Sequence, residues 1–149
     1  MDATNYLKIE KANDRQRQAI IALLQSEKLP VEDLPSSMDN FFVAFDNAHI
    51  IGAIGLEKYN NYGLLRSAVV SKAYRNKNIA SQLVKELENY ATELGIDCIF
   101  LLTETAPGYF ERKGYQRIPR EEVPEALHVS SEFSHVCPVS AIVMKKYLV

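Results

Sequence analysis

The period of the hydrophobic positions changes repeatedly along the chain, and such switching predicts strands and helices alternating in an α/β arrangement. "NYLKIEKA" alternates as a short first strand. In "NDRQRQAIIALLQSEKLP" the apolar Ile20, Ile21, Leu23 and Leu24 follow an Asn13 or Asp14 cap and precede Pro30, which predicts a first helix. "VEDLPSSMD" is turn-rich and reads as a short helix or loop. "NFFVAFDNAHIIGAIGLEKY" then reads as two strands of a hairpin across Asp46, Asn47 and Ala48. "GLLRSAVVS" is a fourth strand. From Ala80 to Leu94, Leu83, Val84, Leu87, Tyr90, Ala91 and Leu94 recur at helical spacing, with Gly95 as the stop. "DCIFLLT" is apolar on both faces and predicts a buried central strand, followed by a short helix "APGYFERKG" and a strand "YQRI". "SAIVMKKYL" closes the sheet.

Composition narrows the function classes. At 149 residues and 47% hydrophobic, the chain suits a single domain, 1–149, with one sizeable core. A formal net charge of -2 provides no basic footprint for nucleic acid, so any phosphate contact must be local. The apolar runs fall far below the roughly 20 residues of a membrane span, and the start lacks a signal-peptide layout, so no membrane partner and a cytoplasmic location are expected. Cys98 and Cys137 stand far apart and suit free thiols in a reducing compartment. With His49, His128 and His135 scattered, no metal site is expected.

The stretch "YRNKNIASQL" joins the fourth strand to the second long helix. A loop entering a helix N-terminus aims several backbone N–H groups, and the positive end of the helix dipole, at one point, which suits a phosphate. Arg75 and Lys77 add local charge, and Ser81 a hydroxyl donor. Such a loop needs positive φ somewhere, which glycine takes freely and asparagine tolerates better than other residues with a side chain. By itself "RNKN" reads more simply as an exposed turn with an ordinary cap.

These elements and spacings resemble the GNAT superfamily of acetyl-CoA-dependent N-acetyltransferases. Its signature Q/R-x-x-G-x-G/A is matched by Arg75 and Ala80, with Asn78 in place of the central glycine. A second family pattern, N-x-x-A-x-x-x-Y-x-K-x-G-F/Y, is met in part by Thr103, Ala106, Phe110, Gly114 and Tyr115. Threonine replaces the family asparagine and phenylalanine the family tyrosine. The resemblance implies a mixed, mostly antiparallel sheet of six to seven strands flanked by about four helices. It also implies acetyl-CoA as co-substrate, contacted by Ala68, Val69, Val70, Arg75, Asn76, Lys77, Asn78, Ile79, Ala80, Ser81, Thr103, Ala106 and Phe110. A small amine would be the second substrate, and a homodimer stays open. "GLEKYNNYGLLRSAVV", "LLTETAPGYFERKGYQRIP" and above all "EFSHVCPVSAIVMKKYL" are similar to the GNAT-type enzymes encoded in arsenic-resistance operons.

Acetyl transfer needs an uncharged amine, a group to take its proton and a donor for the oxyanion. The resemblance assigns the oxyanion contact to the backbone of Ala68, Val69 and Val70. Glu57, ending the apolar run "IIGAIGLE", is the carboxylate chosen as base, against the plainer reading that it marks the solvent end of a strand. Phe110 cannot protonate the departing thiolate, and Tyr109 beside it is the nearest candidate, although successive helical positions point about 100° apart. Arg66 and Ser67 interrupt "LLRSAVV" and are candidate substrate contacts, Arg66 for a carboxylate on an amino-acid-like substrate; the alternative is an internal ion pair of Arg66 with Glu57 or Glu104. Tyr59, Tyr62, Phe133 and Ser134 are candidate walls of the acceptor pocket. Two function classes stay open: an N-acetyltransferase of a small molecule, or alternatively of a protein or peptide, and a non-catalytic acyl-CoA-binding or sensing module to which the missing tyrosine lends weight.

Overall fold

All seven strands belong to one sheet, in the order β1-β2-β3-β4-β5-β7-β6. They are β1 (Leu7–Lys11), β2 (Phe41–Asp46), β3 (His49–Tyr59), β4 (Tyr62–Val70), β5 (Cys98–Thr103), β6 (Gln116–Ile118) and β7 (Ile142–Tyr147). The computed structural model describes residues 7–29, 31–32, 34–75, 77–130 and 141–148. Asn76 and the stretch 131–140, which holds Phe133, Ser134, His135 and Cys137, lie outside the described residues. Where about four helices were expected, three α-helices are found among the described residues: α1 (Arg17–Ser26), α2 (Ile79–Glu93) and α3 (Pro107–Arg112), with short 3-10 turns around them. β4 and β5 pair in parallel, as strands joined through a helix can; the pairs β1–β2, β2–β3, β5–β7 and β6–β7 are antiparallel. The C-terminal strand does not close the sheet at an edge. β7 inserts between β5 and β6, leaving the three-residue β6 outermost.

The chain forms two compact units, Met1–Leu56 with Ser67–Tyr90, and Glu57–Arg66 with Ala91–Val149. In the first, Ile20 and Leu24 of α1 pack with Phe41, Val43, Ala53 and Val69 in a buried cluster. The approach to α1 is a 3-10 turn, Asp14–Gln16, whose cap is Asn13. The Asn13 side chain accepts the Arg15 N–H at 3.0 Å, and Gln16 Oε1 accepts the Asn13 N–H at 2.9 Å, a reciprocal capping box. α2 buries Leu83, Val84 and Leu87. Gly52 makes room for it: a Cβ there would stand 3.1 Å from Leu83 Cδ1 and 3.3 Å from the Val69 carbonyl.

In the second unit Leu64, Cys98, Phe100, Val123, Leu127 and Val143 form a separate buried cluster. The parallel register pairs Tyr62, Gly63 and Leu64 with Cys98, Ile99 and Phe100. The Asn61 amide reaches Asp97 Oδ2 at 2.8 Å, while the Asp97 carbonyl accepts the Leu148 N–H at 2.8 Å, tying the starts of β4 and β5 to the end of β7.

Candidate functional site

The loop after β4 takes the shape its sequence asks for. The Ser71 N–H donates to the Ile51 carbonyl at 2.7 Å, Lys72–Tyr74 make a 3-10 turn, and α2 starts at Ile79. Asn78 has φ +66°, the left-handed conformation required of a residue standing where a glycine is usual, and its carbonyl accepts the Gln82 N–H at 3.1 Å to open the helix. N–H groups in a first helical turn have no carbonyl four residues back, and the dipole adds partial positive charge there. Ile79 is buried and pins the turn, while Lys77 and Asn78 are exposed.

The side chains before it make contacts within the protein. The Arg75 guanidinium pairs with Glu27, just past the end of α1, and its Nε reaches the Val70 carbonyl at 3.4 Å. The Tyr74 hydroxyl donates to the Asp46 carboxylate, a bond that pushes the phenol above its ordinary range. Lys77 Nζ stands 5.8 Å from the centre of the Tyr74 ring. Arg75 and Tyr74 therefore brace the loop against α1 and β2, and Lys77 stands exposed just before the start of α2.

Ser67 carries a feature not foreseen. Its φ is +55° in the middle of β4, and the burial of the strand loses its alternation there, with Leu64, Leu65 and Arg66 all covered and Ala68 exposed. A serine held in this conformation is strained, and such strain gathers at functional positions. The polar interruption "RS" was its trace in the sequence.

Glu57 sits in a buried polar cluster of the second unit. Its Oε2 pairs with the Arg66 guanidinium; its Oε1 accepts the Tyr59 hydroxyl and, at 3.0 Å, the Ser130 hydroxyl. The Arg66 side chain is 1% exposed and that of Glu57 13%. Of the two roles open to Arg66, the ion pair with Glu57 is therefore the one formed. Burial first, then the bond to Glu57, pushes the Tyr59 phenol up to about 12.

Around α3, the Thr103 hydroxyl accepts the Ala106 N–H at 3.0 Å and so shapes the turn before Pro107 starts the helix. Phe110 is buried edge-on between Tyr109 and Tyr115, with ring centres 5.3 and 5.6 Å away. The Tyr109 hydroxyl is buried without a hydrogen-bond partner among the described residues, and burial pushes its phenol up.

Sequence reasoning missed Ser130 and Glu27, which meet their partners across 73 and 48 positions and leave no local trace. Tyr59 was named only as a wall; its i, i+2 spacing from Glu57 on one strand face was the available signal. Among the described residues no group of three or more His, Cys, Asp or Glu side chains could hold a metal, and no helix is long and apolar enough to cross a membrane.

Comparison with known proteins adds to this geometry. Residues 7–115 match the model of the acetyltransferase (GNAT) family. An uncharacterized N-acetyltransferase of Chlorobaculum tepidum is 33% identical over 101 residues, 67% of this chain and 64% of that protein. An amino-acid acetyltransferase of Aeromonas salmonicida is 30% identical over 95 residues, 62% of this chain and 22% of that protein. Among solved structures, the N-acetylglutamate synthase of Neisseria gonorrhoeae, complexed with coenzyme A and N-acetyl-glutamate, superposes with a TM-score of 0.82 at 16% identity over 97% of this chain and 35% of that one. The chain thus spans less than two thirds of these relatives, and at 16% identity the superposition speaks to the fold.

Proposed function

The chain belongs to the acetyltransferase (GNAT) family, and from that premise we propose that it transfers the acetyl group of acetyl-coenzyme A to the primary amine of a small, amino-acid-like molecule. The observation that carries this reading is Asn78 at φ +66° opening α2, the backbone that a phosphate-binding turn at a helix N-terminus calls for. Lys77 adds charge, Arg75 and Tyr74 hold the loop, and the backbone of Ala68 to Val70, beyond the strained Ser67, supplies the oxyanion and pantetheine contacts. Thr103 and Ala106 shape the turn before α3, where Tyr109 has a hydroxyl with a proton to give to the departing thiolate. Glu57 takes the proton of the incoming ammonium. Its nucleophile must be neutral before it attacks the thioester carbonyl.

An amino-acid-like acceptor is suggested by the Aeromonas relative and by the product bound to the Neisseria enzyme. The likeness to arsenic-operon enzymes adds amino-bearing arsonates and phosphinates. With Arg66 committed to Glu57, a substrate carboxylate would need another anchor or would have to share that guanidinium. A second reading, an acyl-CoA-binding sensor without turnover, is favoured by Phe110 and by the engagement of both Glu57 oxygens.

The experiment is coenzyme A release across amino acids, polyamines, aminoglycosides, N-terminal peptides and the arsonates and phosphinates. At least one small amine should turn over, and Glu57→Gln should abolish that turnover while coenzyme A still raises Tm. A wild-type chain that binds acetyl-CoA but acetylates nothing in the panel would establish the sensor instead.

A further inference from the structure

The Glu57 cluster has a direction built into it. A carboxylate oxygen has two lone pairs, and Oε1 has given both, one to the Tyr59 hydroxyl and one to Ser130. Oε2 faces the guanidinium of Arg66, whose side chain is 1% exposed. Ser130 is 2% exposed. Of the three groups around the carboxylate, Tyr59 alone is only partly covered. Tyr59 is therefore the one partly covered group bonded to the carboxylate, and its hydroxyl already points its proton at Oε1.

We propose that Tyr59 is a catalytic proton relay: its oxygen accepts a proton from the substrate ammonium while its own proton passes to Glu57 Oε1. The bookkeeping closes on one proton. An N–H bond of the ammonium breaks and its electron pair stays on nitrogen, an O–H bond forms at Tyr59 as the old one breaks, and an O–H bond forms at Glu57. The amine ends neutral, Glu57 ends as the acid, and the phenol is unchanged. Arg66 and Ser130 are positioning residues in this scheme. Arg66 fixes Oε2 from the buried side, and Ser130 keeps Oε1 aimed at the phenol. The inference rests on Glu57 being the base.

Tyr59→Phe keeps the ring and removes the relay. With whichever amine of the panel releases coenzyme A fastest, kcat/KM should fall by about 10² to 10⁴, the usual worth of a positioned acid or base. Hydroxylamine is the internal control, since it is already uncharged at neutral pH and needs no proton removed before it attacks. Its acetylation by Tyr59→Phe should stay within a few-fold of wild type, as should the rise in Tm with coenzyme A. The double variant Tyr59→Phe/Glu57→Gln should be no worse than Glu57→Gln alone, as expected of groups acting as one unit. Ser130→Ala should show a smaller loss with the same hydroxylamine tolerance. Wild-type turnover in Tyr59→Phe beside an inactive Glu57→Gln overturns the relay and spares the base. An active Glu57→Gln, or a panel without turnover, removes both. Equal losses with hydroxylamine and with the ammonium substrate would show Tyr59 to be structural only.

Discussion

Replacing Asn78 by valine puts a β-branched side chain at φ +66°, a region such residues avoid because Cβ and the γ-methyls crowd the backbone. Holding a residue in that region costs about 1 to 3 kcal/mol, a factor of roughly 5 to 150 in an equilibrium constant. The chain can meet the strain in two ways. It can keep the loop and lose stability, or rotate the peptide to negative φ and turn the amides of the first α2 turn away from the phosphates. Asn78 is exposed and stands between a loop and a helix start, so rotation is the easier response and the cost should fall on binding. Calorimetric titration with coenzyme A should show about tenfold or greater weakening, and Asn78→Gly should bind as well as wild type or better. The structure supplies its own controls. Asn47 and Asn60 have φ of 55° and 56° in the β2–β3 and β3–β4 turns, so Asn47→Val and Asn60→Val meet the same backbone strain away from the loop. They should lose stability and keep coenzyme affinity. If Asn78→Val binds coenzyme A like wild type while these two are destabilised, the loop is an ordinary exposed cap and the phosphate reading falls.

Three other outcomes are expected. Gly55→Ala would place a Cβ 2.5 to 2.8 Å from the ring carbons of Phe41, which is fully buried and paired with Gly55 across β2 and β3. Overpacking of this kind costs about 1 to 3 kcal/mol, so calorimetry should find Tm lowered by roughly 3 to 10 °C, and an unchanged Tm would refute the packing described for that strand pair. Tyr109→Phe removes a buried hydroxyl that lacks a partner among the described residues, so denaturation should show equal or greater stability while turnover falls at least tenfold; full activity would leave Tyr109 without a catalytic part. Tyr59 should form phenolate near pH 12 rather than 10, read as the near-ultraviolet difference between wild type and Tyr59→Phe. Because its folded value is the higher one, its contribution to stability is complete below about pH 10 and is lost as pH rises through 12, and Glu57→Gln should move the midpoint down.

The elements of this fold, and the backbone of the loop that opens α2, are decided by neighbours in the chain. Hydrophobic period places β1 to β7 and the three helices because side-chain direction repeats every two or 3.6 residues whatever lies beyond. Asn13 caps the approach to α1, Gly95 follows α2, and Asn78 takes positive φ through preferences that act within one or two peptide units. The chemistry of the site is not local in this sense. Arg66 and Glu57 are nine positions apart on consecutive strands, and that pair was among the sequence's alternatives; that Ser130 reaches Glu57 Oε1 and that Arg75 turns to Glu27 depend instead on which faces come together after the chain has closed loops of many residues. β7 lies inside β6 for the same reason: strand order in a sheet is set by burial on both faces and by register, neither of which is written at the strand itself. A buried charge must find a partner, but its own sequence neighbourhood does not say which partner, because the cost of burying it is met equally well by any donor the packing brings within reach.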